Sequence, residues 1–324
     1  MEDIKGLKTS HSQEHHDLSG YLLVILAVIV FSTIEVASQH VQREEHLSAF
    51  DLSLLRFGIG GIILVIAAFA RVGKGEMLRI IKLDGWRIAL LGLIGTTALA
   101  LTYHRSLMLT SSMIGGAIFS INPAVVALIF LAFRVEKLSW SRVIGIILGI
   151  ACIYVTNKGA KSHEPEFPDY FTGNLFMIGA VLAWSIYFFL IRDYIKKYSP
   201  VVVSAIAIVG GAFGLIVTVP LIPLLGWGET LTFYKTLTPF GWGLVIYLGV
   251  VTVGLGYYWL YTGLAKTGVS KGMMIFFIKP ALVALLAHFL QHQPLSQWIW
   301  LGIALASASI VIVGMNGVRM RNVN

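Results

Sequence analysis

The chain alternates long apolar runs with short polar breaks. Runs approaching the ~20 residues that cross a ~30 Å hydrocarbon core lie at Gly20–Val41, Leu52–Ala70, Trp86–Leu107, Met113–Phe133 and Trp140–Thr156. Five more follow at Gly173–Ile191, Val201–Leu225, Phe240–Leu260, Met273–Leu290 and Trp298–Met315. The pattern predicts an all-α membrane protein of ten transmembrane helices. Pro220 and Pro223 are expected to kink or end the seventh early, because proline removes a backbone donor and crowds the preceding turn. One run carries an anomaly: in "FFIKP" a charged Lys279 adjoins Pro280 inside otherwise apolar sequence.

Composition strengthens this reading. Hydrophobic residues make up 57% of the 324 and charged ones 12%, and the mean hydropathy is +0.82, values that belong to integral membrane proteins. The first 19 residues are polar and lack the order of a cleavable signal peptide, so the first span is expected to remain in the mature protein. A single cysteine, Cys152, leaves no intramolecular disulfide and no cysteine-cluster metal site. No metal or cofactor is expected.

The net charge of +8 has a topological explanation. With the N-terminus inside, 17 of the 24 lysines and arginines fall on inside segments, five on outside segments, and two, Arg56 and Lys279, within spans. By the positive-inside rule both termini are cytoplasmic, and no basic patch is left for nucleic acid.

Displacing the sequence by 157 positions lays "FSINPAVVAL" (119–128) on "FFIKPALVAL" (276–285). The same offset matches Gly115 with Gly272, Pro123 with Pro280, Gly145 with Gly302 and Ala151 with Ala308; an offset of 153 pairs Gly20 with Gly173 and Ser32 with Ser185. Five helices are therefore duplicated. Five is odd, so the second copy enters from the opposite side, giving two inverted repeats of the kind that form substrate sites near the midplane. The expected organisation is a polar tail (1–19), a first repeat (20–157), a linker (158–171), a second repeat (172–316) and a tail (317–324).

The stretch Tyr103–Val155 joins a small-residue turn, a mid-helix proline at Pro123, an acidic-x-Leu-Ser turn at 136–139 and a glycine-spaced fifth helix. It resembles the EamA domain of the drug/metabolite transporter superfamily. The stretch 261–307 is similar to a second such domain, with Gln293 in place of the acidic turn residue. Arg56 sits where the second helix of this family usually carries arginine. The resemblance implies a ten-helix inverted repeat around a central cavity lined mainly by helices 1, 3, 4, 6, 8 and 9, in carriers of amino acids, other small metabolites or drugs.

Ionisable groups near the bilayer centre cost at least ~2.5–3.5 kcal/mol each and so point to a partner, a wet cavity or a use. Lys279 reads either as a cavity cation for a substrate carboxylate or phosphate, or as packing held by carbonyls or a fixed acid. Its repeat mate Asn122 either faces the cavity or bonds a carbonyl loosened by Pro123. Glu35 and Arg56 lie at similar depth and read as a structural ion pair; the alternative makes Glu35 a proton-coupling carboxylate or counter-charge to a substrate amine, with Phe31, Ser32 and Gln39 as neighbours. His104, Phe119, Trp184, Tyr187 and Tyr258 complete the candidate lining, and Pro123, Pro280 and Arg56 are candidate structural or gating residues.

No phosphate-binding loop is present for ATP-driven pumping, and no nucleophile–base or paired-acid spacing for an intramembrane enzyme. The expected function is secondary transport of small metabolites such as amino acids by alternating access, most readily export. Drug or hydrophobic-cation efflux and a sugar-phosphate or nucleotide-sugar carrier are the alternatives, ahead of a channel. The expected partners are a small-molecule substrate and the lipid bilayer. Proton coupling, and a monomeric or homodimeric state, are left open.

Overall fold

A computed structural model of the protein describes residues 18–110, 112–135, 140–160, 169–227 and 237–291, with isolated helical positions between 297 and 312. The expected N-terminal tail up to residue 17, the C-terminal tail, the 136–139 turn, most of the linker and most of the expected tenth span lie outside the described residues, and the first helix takes in the last two residues of the expected N-terminal tail. Every described element is a helix or the turn that joins helices. Among the described residues, seven helical stretches are long and apolar enough to cross a membrane, and 44% to 67% of each apolar window is buried within the protein. The remainder must meet lipid, where a helix is the secondary structure that satisfies its own backbone. Ile62, Phe213 and Leu224 are among the large apolar side chains on that outer surface.

The continuous helices among the described residues are α1 (Leu18–Arg43), α2 (residues 49–72), α3 (residues 74–109), α4 (residues 112–132), α5 (Trp140–Ala160), α6 (Tyr170–Lys197), α7 (Pro200–Leu225), α8 (Pro239–Thr267) and α9 (Val269–Leu290). Gly73, at φ +77° and ψ 164°, separates α2 from α3; glycine adopts that backbone without penalty. The third helix therefore starts about three turns before the expected Trp86. The polar stretch after Gly73 buries Met77, Ile80 and Asp84 at helical spacing, and Glu76 pairs with Arg79 one turn on, at 2.7 Å. The seventh helix behaves as expected: α geometry ends at Thr218 and a 3₁₀ segment, Val219–Leu225, carries both prolines.

Irregular turns recur at repeat-equivalent positions. In α4 the helix is interrupted at Ser120 and Ile121, and α9 tightens to 3₁₀ over Met274–Ile278. The two interruptions touch, since Ala124, Met274 and Phe277 form one buried cluster with Ile121 against it. In α3 a π-helical segment spans Leu93–Ala98, and in α8 another spans Leu248–Gly256. An offset of 157 carries the first onto the second. A further distortion at Ser32 and Thr33 of α1 was not expected; both hydroxyls bond carbonyls one turn back, at 2.7 Å each, a substitution that bends helices.

Small residues let the helices close. A Cβ on Gly92 of α3 would stand 2.0 Å from the Ala207 carbonyl oxygen of α7, so the backbones meet as in small-xxx-small membrane contacts. Thr97 Oγ1 donates to the Gly211 carbonyl at 2.7 Å across the same interface.

Helices α1 and α8 run antiparallel. Ser19 receives a hydrogen bond from Lys266 at 3.0 Å, mid-helix Thr33 meets Tyr247 at 2.8 Å, and Glu45, just after α1, accepts from the Thr238 amide at 2.9 Å and from its hydroxyl. Those two Thr238 donors hold the Glu45 carboxyl below the usual carboxylate range. The Ser19 end also holds Asp84 of α3, which accepts from Lys197 and Tyr198 at 2.6 Å each. The Glu45 end holds Arg105, which donates to the Trp227 carbonyl at 3.2 Å. We refer to these as the basic end and the Glu45 end.

Candidate functional site

Proline explains the difference between the two interruptions. Pro123 has no N–H to give the carbonyl four residues back, that of Phe119. Asn122 Nδ2 supplies the missing donor at 2.7 Å, and its Oδ1 accepts from Ser185 Oγ of α6 at 2.9 Å. In α9, Pro280 orphans the Phe276 carbonyl in the same way. There the backbone N–H of Lys279 takes it, which is the 3₁₀ turn. The side chain of Lys279 is thereby released from any local duty, unlike that of Asn122.

That side chain crosses to α1, where its ammonium donates to Glu35 Oε1. Both residues are buried, Lys279 at 1% exposure and Glu35 at 0%. The ammonium also lies 4.5 Å from the ring centre of Phe119 and 5.9 Å from that of Tyr103, within cation–π range. The expected Glu35–Arg56 ion pair does not form. Glu35 pairs with Lys279 instead, and Arg56 rests on His104: depth along a span fixes height in the membrane, not which neighbour a side chain faces.

The Arg56 contact fixes a hydrogen-bond chain. Arg56 Nη1 lies 3.3 Å from His104 Nε2, and His104 Nδ1 lies 2.6 Å from Ser53 Oγ. A guanidinium has only donors, so Nε2 accepts and the imidazole is neutral with its proton on Nδ1. Ser53 accepts that proton and donates in turn to the Ala49 carbonyl at 2.8 Å. Arg56 also lies over the Phe57 ring, 4.8 Å from its centre.

Between these groups lies a small cavity bordered by Arg56, Lys279, Tyr103 and His104. Its aromatic wall is Phe31, Trp184 and Tyr257, packed edge-on with centroids 5.3 to 6.3 Å apart, with Phe57 and Phe119 beside them. One turn further toward the basic end, the Tyr187 and Tyr261 hydroxyls hydrogen-bond to each other. Phe188 lies edge-on to both, at 5.1 and 5.7 Å, and the group packs against the wall residues Trp184 and Tyr257 on that side. Toward the Glu45 end the buried side chains include the small polar Ser38, Ser53, Ser106, Thr110 and Ser112 beside the apolar Phe50, Leu52 and Leu107.

The sequence-based candidates divide accordingly. Lys279, Phe31, Phe119, Trp184, His104 and Arg56 line the cavity, with Glu35 behind Lys279. Asn122 ties α4 to α6, and Ser32 bonds its own helix. Tyr187 joins Tyr261 beneath the aromatic wall, and Gln39 is buried without bordering the cavity. Tyr258 is only half-buried; its neighbour Tyr257 is the wall residue, and one helical step of about 100° makes the difference. Pro123 and Pro280 sit at the interruptions. Tyr103 and Phe57 were missed, although each directly adjoins a candidate, His104 and Arg56.

Comparison with known proteins agrees with this architecture. The sequence profile of the EamA-like transporter family matches residues 18–158 and again residues 171–315. An "Uncharacterized transporter" of Clostridium kluyveri is 24% identical over 298 residues, 90% of this chain and 92% of that one. The "Aromatic amino acid exporter YddG" of Ancylobacter novellus is 24% identical over 271 residues, 83% and 87% of the two chains. A protein of known crystal structure superposes with a TM-score of 0.71 at 21% identity, covering 92% of this chain and 98% of its own, and so shares the fold. Two family matches spanning nearly the whole chain, over a helical membrane fold, show that this multi-pass plasma-membrane protein belongs to the EamA-like transporter family.

Proposed function

We infer that the chain is a secondary transporter of small carboxylate-bearing metabolites, amino acids among them, working by alternating access between two inverted five-helix repeats. The observation that carries this reading is the cavity itself, where the interrupted helices of the two copies meet and a buried ion pair stands against an aromatic wall. The repeat-equivalent interruptions of α4 and α9 and the π segments of α3 and α8 support the inverted repeat. The basic loops at the Ser19 end support cytoplasmic termini, and the expected domain limits follow the same division. With the basic end inside, the contact of Tyr187 with Tyr261 corresponds to a state shut toward the cytoplasm.

The aromatic wall accords with the description of the Ancylobacter relative as an aromatic amino acid exporter. With two in-span cations, one of them already paired, the site is poor in charge for a sugar phosphate or nucleotide sugar. Cation efflux is the second reading, because Glu35 Oε2 has no hydrogen-bond partner among the described residues. Counterflow in proteoliposomes decides between them. Preloaded phenylalanine or 3-phenylpropionate is expected to drive uptake of its labelled form, and Lys279→Gln to reduce it at least about tenfold. Saturable flux confined to organic cations would favour the second reading, and unsaturable flux would refute the carrier.

A further inference from the structure

The charges around the cavity do not cancel. Glu35 and Lys279 neutralise one another. Arg56, 4% exposed, is a second buried cation, and its partner His104 is neutral by the donor–acceptor logic above. The carboxylate within electrostatic reach of Arg56 is again Glu35, already committed to Lys279. The cavity wall therefore carries a surplus of one positive charge, in surroundings where an uncompensated charge is strongly disfavoured.

The hydrogen-bond inventory leans the same way. Among the described residues, Arg56 Nε and Trp184 Nε1 are buried donors without partners, and both residues border the cavity. Tyr103 Oη and Glu35 Oε2 are also unpartnered among the described residues, and Tyr103 lies within electrostatic reach of Glu35. Arg56 Nε and Trp184 Nε1 are then the buried cavity-lining donors left for a ligand, alongside the one surplus positive charge.

We propose that the cavity selects small organic acids of net charge −1, with the carboxylate on Arg56, an acceptor toward Trp184 Nε1, and an aromatic or apolar body against Phe31, Phe57 and Tyr257. The proposal rests on the carrier reading and narrows its substrate class. A free amino acid brings its own ammonium, so the surplus charge persists. A cation raises it to two. An acid whose amine is absent or acylated cancels it, and an acyl or oxo oxygen adds the second acceptor.

The test is a charge series on one aromatic body, using the purified full-length protein and isothermal titration: 3-phenylpropionate, N-acetylphenylalanine, phenylalanine and phenethylamine. The two monoanions are expected to bind about tenfold or more tighter than the zwitterion and the cation. Arg56→Gln is expected to erase that preference, and Trp184→Phe, which keeps the ring and removes the donor, to weaken the monoanions selectively. Should Arg56→Gln not fold, the wild-type ranking and Trp184→Phe decide the matter. Phenylalanine or phenethylamine binding as tightly as the monoanions overturns the proposal, as does Arg56→Gln with an unchanged ranking. Phenylalanine counterflow without monoanion preference would sink this inference alone, whereas no counterflow by any of the four would sink the carrier reading with it.

Discussion

At the scale of single residues, the Glu35–Lys279 pair is the most exacting feature of the protein, because it holds two charges away from both water and lipid. Removing one member leaves the other stranded, a change that in buried pairs costs about 3–5 kcal/mol, while replacing both is far milder. Glu35→Gln and Lys279→Met should therefore each lower the thermal unfolding midpoint of the purified protein sharply, and the double variant should recover much of the loss. A double variant as unstable as the sum of the singles would mean that the two residues do not pair. Which residues gather at the cavity was legible in the sequence: charged residues stand out in apolar runs, and Lys279, Arg56 and His104 border the cavity with Glu35 paired to Lys279. Their pairing was not legible. Lys279 found Glu35 because α9 and α1 are neighbours, a fact of three-dimensional packing that position along a run does not encode.

At the scale of helices, sequence signals split between those with local causes and those without. Proline is local, so the interruptions near Pro123, Pro280 and the Pro220–Pro223 pair were readable in advance. The π segments Leu93–Ala98 and Leu248–Gly256 contain no proline and arise where α3 and α8 accommodate close neighbours, such as Tyr187 against Gly95. The start of α3 was misplaced for a similar reason, since its first turns are polar enough to read as a loop and are held by Asp84 reaching Lys197 and Tyr198. Glycine shows how far packing decides. Gly92 and Gly58 are both in apolar helices, yet a Cβ on Gly92 would press on the α7 backbone, whereas one on Gly58 meets nothing within 4 Å. Gly92→Ala is expected to destabilise by about 1–3 kcal/mol through overpacking, while Gly58→Ala, relieved of glycine's backbone entropy, should be neutral or stabilising by up to about 1 kcal/mol. Thermal unfolding of the two variants side by side checks this, and equal effects would show that the α3–α7 contact yields more readily than the geometry implies.

At the scale of the whole molecule, the duplicated pattern of glycine and proline was enough to read a repeat, and the distribution of lysine and arginine enough to expect two unlike ends. What the sequence left out is the way each end is fastened. At the Glu45 end, the loop after α1 grips the start of α8 through Thr238, a residue that also caps that helix by accepting from the Gly241 amide at 3.0 Å. At the basic end, Asp84 of α3 holds the α6–α7 junction. Each contact ties an element of the first copy to one of the second, so a carrier in which the copies rock against each other must loosen one fastening while the other holds. A covalent bridge at either place should then stop the cycle. In a Cys152→Ala background, the pair Glu45→Cys and Thr238→Cys, joined by a short thiol-reactive cross-linker that dithiothreitol cleaves, is expected to reduce counterflow at least about tenfold, with recovery on cleavage. The pair Asp84→Cys and Lys197→Cys should behave in the same way at the opposite end. A static pore makes a different demand, since neither fastening need open for a solute to pass. Full flux through protein bridged at both ends would therefore exclude rocking of the two copies as the mechanism.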